Sequence, residues 1–242
     1  EKFLAGAGEP EHKVAPSEDS PNQVEGKGKK SLRQLESALG LAVRHGHARV
    51  VRLFFEEGDF RGHYHYRAFL AAAASGNHLE TARVLIEEGA EVNGINQLGY
   101  PGPFYWAVIR SDPELVKLFI ESGADVDRGA AGRGITFLHK AATIGRTAVV
   151  RMLLDSGANP NAKATEKCSL ECVNQTPLHC AAEKGHLETA KLLVSWGAKT
   201  DAEDALGWTP LEEAAFGGHR EVYDFLKEVT VKKRGSGSEH IN

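Results

Sequence analysis

The sequence predicts an all-α solenoid of stacked helix–turn–helix units. Three observations point there. Residues 185–198, Gly-His-Leu-Glu-Thr-Ala-Lys-Leu-Leu-Val-Ser-Trp-Gly-Ala, are one version of a pattern that returns along most of the chain. Nine residues before the first Gly of each version stands some form of Thr-Pro-Leu-His. The repeat distance lies between 31 and 40 residues. A period in that range marks units too small to bury their own apolar face, which gain a core by stacking.

Aligned on the Thr-Pro-Leu-His slot, six copies start at Ser37, Ala68, Gly102, Thr136, Thr176 and Thr209. Thr176 and Thr209 are suited to cap a helix, and Pro177 and Pro210 fit its first position, where a missing N–H costs nothing. The turn between the paired helices falls at Gly46, Asn77, Ser111, Gly145, Gly185 and Gly218. Asn tolerates the left-handed backbone better than other non-Gly residues. In the fifth copy, Leu187, Ala190, Leu193 and Val194 share one face of the second helix. Second helices close on Gly58, Gly89, Gly123, Gly157 and Gly197, whereas the sixth copy runs into a Lys/Gly/Ser tail and reads as the terminal cap. Ala42, Ala74, Ala142, Ala182 and Ala215 are the small residues that would let neighbouring first helices approach.

Thr176-Pro177-Leu178-His179 with Ala181-Ala182, Thr136-Phe137-Leu138-His139 with Ala141-Ala142, and Thr209-Pro210-Leu211-Glu212 with Ala214-Ala215 together resemble the ankyrin repeat. The resemblance implies an ankyrin-repeat solenoid with protruding β-turn fingers, and a protein-binding surface along the fingertips and first helices. It also implies that the slot His, His139 and His179, holds neighbouring loop backbone. His47, His78, His186 and His219 follow the inter-helix turn in four copies, and a repeated position implies a repeated structural task.

The array is expected over 32–230, with copies near 35–65, 66–99, 100–133, 134–173, 174–206 and 207–230. Residues 1–31, rich in Gly, Pro, Ser and charge, and 231–242 read as tails that do not fold alone. A net charge of −4 supplies no bulk attraction to nucleic acid, and no apolar run approaches the length of a membrane span. Three Cys without a signal-peptide pattern suit an intracellular location, cytoplasmic or nuclear. A monomer is expected, and no cofactor. The chain opens on Glu1 and not Met, as a processed chain or a segment cut from a longer polypeptide would.

No nucleophile elbow, phosphate-binding Gly loop or zinc-protease helix is present, so a non-enzyme is expected. His63 with His65, and Cys168 with Cys172, lack the paired spacing of a zinc site. The fourth-to-fifth interval of 40 residues contains an insertion over 162–175, expected to break the row of fingertips and protrude.

The outward slots of the repeat carry large side chains where a merely solvated surface would not need them. They are Tyr64, Tyr66 and Arg67 between the first two copies, Tyr100 and Arg110 in the third, Arg133, Ile135 and Ile144 in the fourth, and Leu206, Trp208 and Phe216 in the last. Trp, Tyr and Arg are the residues most enriched among interface anchors. A protein or peptide partner on this face is the leading expectation. The alternatives are a regulatory or targeting segment of a larger protein, and an escort for a basic client held by Glu183, Glu203, Asp204, Glu212 and Glu213. Leu85, Glu91, Val92 and Asn93 have the spacing of an asparagine-hydroxylation substrate in the family, although Asn93 also fits a plain turn residue.

Overall fold

The computed structural model describes residues 35–57, 66–93, 102–110, 112–127, 129, 134–165 and 173–236, excluding the side chains of 66, 67 and 233–236. The chain divides into two units, Glu1–Ala38 and Leu39–Asn242, and all packing below belongs to the second. The helices are α1 over 35–44, then α2 (Ala48–Glu57), α3 (Tyr66–Ser75), α4 (Leu79–Glu87), α5 (Pro103–Arg110), α6 (Pro113–Glu121), α7 (Phe137–Ile144), α8 (Thr147–Asp155), α9 (Pro177–Glu183), α10 (Leu187–Ser195), α11 (Pro210–Phe216) and α12 (Arg220–Ser236).

They stack as two rows. First helices pack in the order α3, α5, α7, α9, α11, and second helices in the order α2, α4, α6, α8, α10, α12. Each row has its own column of core side chains. Leu70, Phe104, Leu138 and Leu178 are buried on the first helices, and Leu85, Phe119, Leu153, Leu193 and Leu226 on the second. Each such burial is worth about 1.5–3 kcal/mol. Ala42, Ala74, Ala142 and Ala182 are buried between neighbours, whereas Ala215, on the last first helix among the described residues, is exposed.

Helix ends follow local chemistry. The side chains of Thr136, Thr176 and Thr209 each form a capping box with the residue three positions on. Pro103, Pro113, Pro177 and Pro210 are the first residues of their helices. The second copy departs from its alignment: α3 begins at Tyr66, so Ala68 lies inside the helix and not at its cap. With neither Thr nor Pro at that slot, no local signal stops the helix from starting two residues early. At the other end α12 continues to Ser236, beyond the boundary at 230.

Neighbouring copies are also tied by polar side chains. Asn93 donates to Gly123 O at 2.8 Å and accepts from Asp125 N at 2.8 Å. Asp127 accepts from Asn159 N, and Asn161 donates to Gly197 O while accepting from Lys199 N. Gly129 bridges Thr136 within one finger, and neighbouring fingers pair through backbone where Thr165 N donates to Gly134 O and Ala205 N to Val173 O. The insertion therefore does not break the row at its described ends. Ala164 N donates to Gln175 O and Asn174 N to Ala164 O, which pairs the two described ends of the insertion.

Candidate protein-binding face

The finger between α10 and α11 is built around one carboxylate. Asp204 Oδ1 accepts from Leu206 N at 2.8 Å and Trp208 N at 2.9 Å, while Asp204 N donates to Trp208 O at 2.9 Å. Gly207, at φ +78°, supplies the left-handed step that reverses the chain. From below, His179 Nε2–H donates to Trp208 O at 3.0 Å. The tautomer follows from the other nitrogen: Nδ1 accepts from Thr176 N at 3.1 Å, so the proton sits on Nε2. His139 makes the same arrangement one copy earlier, with Thr136 N on Nδ1 and Nε2–H on Gln175 O at 3.0 Å. Burial lowers the pKa of both rings, His139 to about 4, and both stay neutral at pH 7.

This frame carries half-buried Trp208 beside two exposed apolar side chains, Leu206 and Phe216. The rings of Trp208 and Phe216 meet edge to face with centroids 5.1 Å apart. Phe216 is 77% exposed at the end of α11, and Leu206 is 63% exposed at the fingertip. Edge-to-face is the arrangement aromatic quadrupoles favour, so the two rings hold each other while most of Phe216 stays in water. Leu206, Trp208 and Phe216 thus lie on one finger and the first helix behind it.

Other expected site residues fall differently. Arg110 is exposed and Ile144 half-buried, each at the last turn of a first helix. Ile135 packs against the core and is no free fingertip side chain. Tyr66 and Arg67 belong to the first turn of α3 and not to a finger. Tyr64, Tyr100 and Arg133 lie outside the described residues, as do His63, His65, Cys168 and Cys172. Tyr105 and Trp106 are half-buried and pack on the core beside Phe104.

The expected acidic face is largely spent on the fold. Asp204 is buried in its finger, Glu212 closes the capping box of Thr209, and Glu183 pairs with Lys184. Glu213 is buried and accepts from Gln175 Nε2 at 2.9 Å, with its pKa raised by that burial. Only Glu203 of the five is an exposed carboxylate with no structural task in the described residues. The free thiol of Cys180 is buried, and burial pushes its pKa up to about 11, which suits packing and not reactivity. Asn93 has both arms of its amide engaged by the next copy, the work of a turn residue.

The post-turn histidines act as brackets between copies. His78 Nε2 reaches Arg44 O at 2.9 Å, His186 Nε2 reaches Thr143 O at 3.0 Å, and His219 Nε2 reaches Glu183 O at 2.8 Å. Where the turn residue is Asn77 and the next copy has Asp112, the carboxylate accepts from the Asn77 amide at 2.7 Å and also caps α6.

A family model for ankyrin repeats matches residues 21–96, 95–164 and 162–234. The chain belongs to the ankyrin-repeat family. Among its relatives, a glycerophosphocholine phosphodiesterase of Schizosaccharomyces pombe is 31% identical over 160 residues, covering 65% of this chain and 13% of that protein. Cyclin-dependent kinase 4 inhibitor B of Homo sapiens is 29% identical over 161 residues, 66% of this chain and 86% of the inhibitor. A transient receptor potential cation channel subfamily A member 1 homolog of Caenorhabditis elegans is 29% identical over 163 residues, again 13% of its length. Ankyrin repeats mediate protein–protein interaction, and the similarity to the phosphodiesterase and the channel is confined to a small part of each. Among the described residues no helix is long and apolar enough to cross a membrane.

Proposed function

We propose that this chain is a non-catalytic module that binds a protein or peptide across its last finger and first helices, with Trp208 and Phe216 as anchors. The observation that supports this is the edge-to-face pair of half-buried Trp208 and exposed Phe216 on a finger fixed by Asp204 and His179. A large aromatic held rigid and left in water loses little entropy on binding and gains much from desolvation. Quantitative affinity capture with the parent chain and with Phe216→Ala tests it. Recovery of the partner falls at least about tenfold with the variant, the ~1.4 kcal/mol expected of an anchor. Equal recovery removes Phe216 from the interface.

The same module serves as the targeting or regulatory segment of a longer protein in a second reading. The 13% coverage of the phosphodiesterase and channel relatives favours it. An open reading frame continuing past either end separates that reading from a free-standing adaptor.

A further inference from the structure

The first helices that line the face proposed above do not share one charge. α5 carries Arg110 and α7 carries Lys140, and neither helix has a carboxylate. α11 carries Glu212 and Glu213 and has no Lys or Arg. Between them, Glu183 at the end of α9 pairs with Lys184 at 2.6 Å, and the two charges cancel. The reversal extends into the finger before α11. Residues 199–220 hold five carboxylates, Asp201, Glu203, Asp204, Glu212 and Glu213, against two cations at the segment's ends, Lys199 and Arg220. Arg220 is itself paired with Asp224 at 3.6 Å.

Lys140, Cys180 and Glu213 occupy one slot, four residues past the caps Thr136, Thr176 and Thr209. α7 packs on α9 and α9 on α11, so the three side chains form a row. Packed helices stand 8–10 Å apart, which puts Lys140 and Glu213 roughly 20 Å from each other. Hydrogen bonds hold the carboxylates of α11 without neutralising them. Glu213 accepts from Gln175 and Glu212 from Thr209, and among the described residues neither forms an ion pair. Burial of Glu213 also leaves its charge poorly screened by salt. Both carboxylates lie one turn before Phe216 on the same helix, beside the exposed ring.

We propose, resting on Trp208 and Phe216 as the anchors, that the partner is a polypeptide segment with opposite charges at its two ends. An apolar residue seats on the aromatic pair with a Lys or Arg beside it, over Glu212 and Glu213. An Asp or Glu lies over Lys140, about six residues away in extended backbone. Charge complementarity fixes which way the segment runs along the row, and a uniformly basic segment is repelled at α5 and α7.

The probe is a phage-displayed library of random peptides about twelve residues long, enough to span the row when extended. It is selected on the parent chain and counter-selected on Phe216→Ala. Peptides that need Phe216 carry a Lys or Arg next to an apolar residue, and an Asp or Glu about six residues from it. Synthetic copies are then titrated against Glu213→Gln, which keeps an oxygen to accept from Gln175, and against Lys140→Gln at a half-buried site. Each variant weakens such a peptide about three- to fivefold, but by less than about twofold once the peptide's matching charge is replaced by Gln. Tm is read for both variants, and Lys140→Gln decides alone if Glu213→Gln loses stability. Phe216-dependent peptides without that charge order, or indifferent to the Gln variants, overturn the proposal and leave the anchors in place. Peptides that bind Phe216→Ala as well as the parent, or the absence of any binder, remove the anchors themselves.

Discussion

The imidazole of His219 lies over Gly185, the inter-helix turn residue of the copy before it, and reaches Glu183 O at 2.8 Å. Two demands therefore meet at one glycine. Its φ of +72° requires the left-handed region, and a Cβ there would collide with the His219 ring. The same pairing links Gly46 with His78 and Gly145 with His186.

Gly185→Ala and Gly218→Ala separate the two demands. Gly218 has φ +72° as well, but nothing lies within 4 Å of a Cβ built there. Gly218→Ala costs only the backbone strain, about 1–2 kcal/mol. Gly185→Ala costs at least about 1 kcal/mol more by urea unfolding, since the ring must give way. Adding His219→Ala to Gly185→Ala removes that excess; a strictly additive double-mutant cycle refutes the bracket.

Stability falls on acidification through the buried histidines. His139 has its folded pKa lowered from 6.5 to about 4, so the unfolded chain binds the proton more readily between those values. This contribution is full above pH 6.5 and is lost progressively as pH falls toward 4, reaching about 2 kcal/mol of destabilisation at pH 5. His179 is lowered too and acts in the same direction, while Glu213, raised by burial, opposes both. Urea titrations at pH 7 and pH 5 measure the difference, and His139→Gln reduces it. An unchanged difference in that variant rules out His139 as the source.

Asp204→Ala removes the acceptor for two backbone N–H groups and loosens the finger, costing about 1–2 kcal/mol. Asp204→Asn keeps one acceptor oxygen and recovers most of it. Hydrogen exchange at the Leu206 and Trp208 amides reports the finger directly: both accelerate in Asp204→Ala and much less in Asp204→Asn. Unchanged exchange at both amides in Asp204→Ala means that the carboxylate does not hold the finger.

The repeat itself was legible because its signals are local and recur. The turn glycines, the Thr-Pro starts and the apolar columns ending in Leu193 or Leu226 each follow from one residue's geometry, and repetition fixes their spacing. What stayed hidden depends on three-dimensional neighbours. Asp204 and Glu213 look like surface carboxylates in sequence, and only the fold shows one turned onto its own finger and the other onto Gln175. Ile135 occupies an outward slot, but packing turns it to the core. The polar stretch past 230 has no apolar stripe to announce a helix, yet α12 runs through it with Glu228 and Lys232 paired one turn apart. The aromatic patch was legible in part: Leu206, Trp208 and Phe216 were identifiable by slot, their mutual contact was not.

Thermal unfolding of Phe216→Ala beside Phe119→Ala tests most directly whether the aromatic pair is free of structural duty. Phe119 is fully buried and Phe216 is 77% exposed. Phe119→Ala lowers Tm by roughly 10 °C, as expected for a cavity costing several kcal/mol in a domain of this size, and Phe216→Ala stays within about 2 °C of the parent. A loss in Phe216→Ala comparable to that in Phe119→Ala would show that the ring is part of the core, and would contradict the binding face built on it.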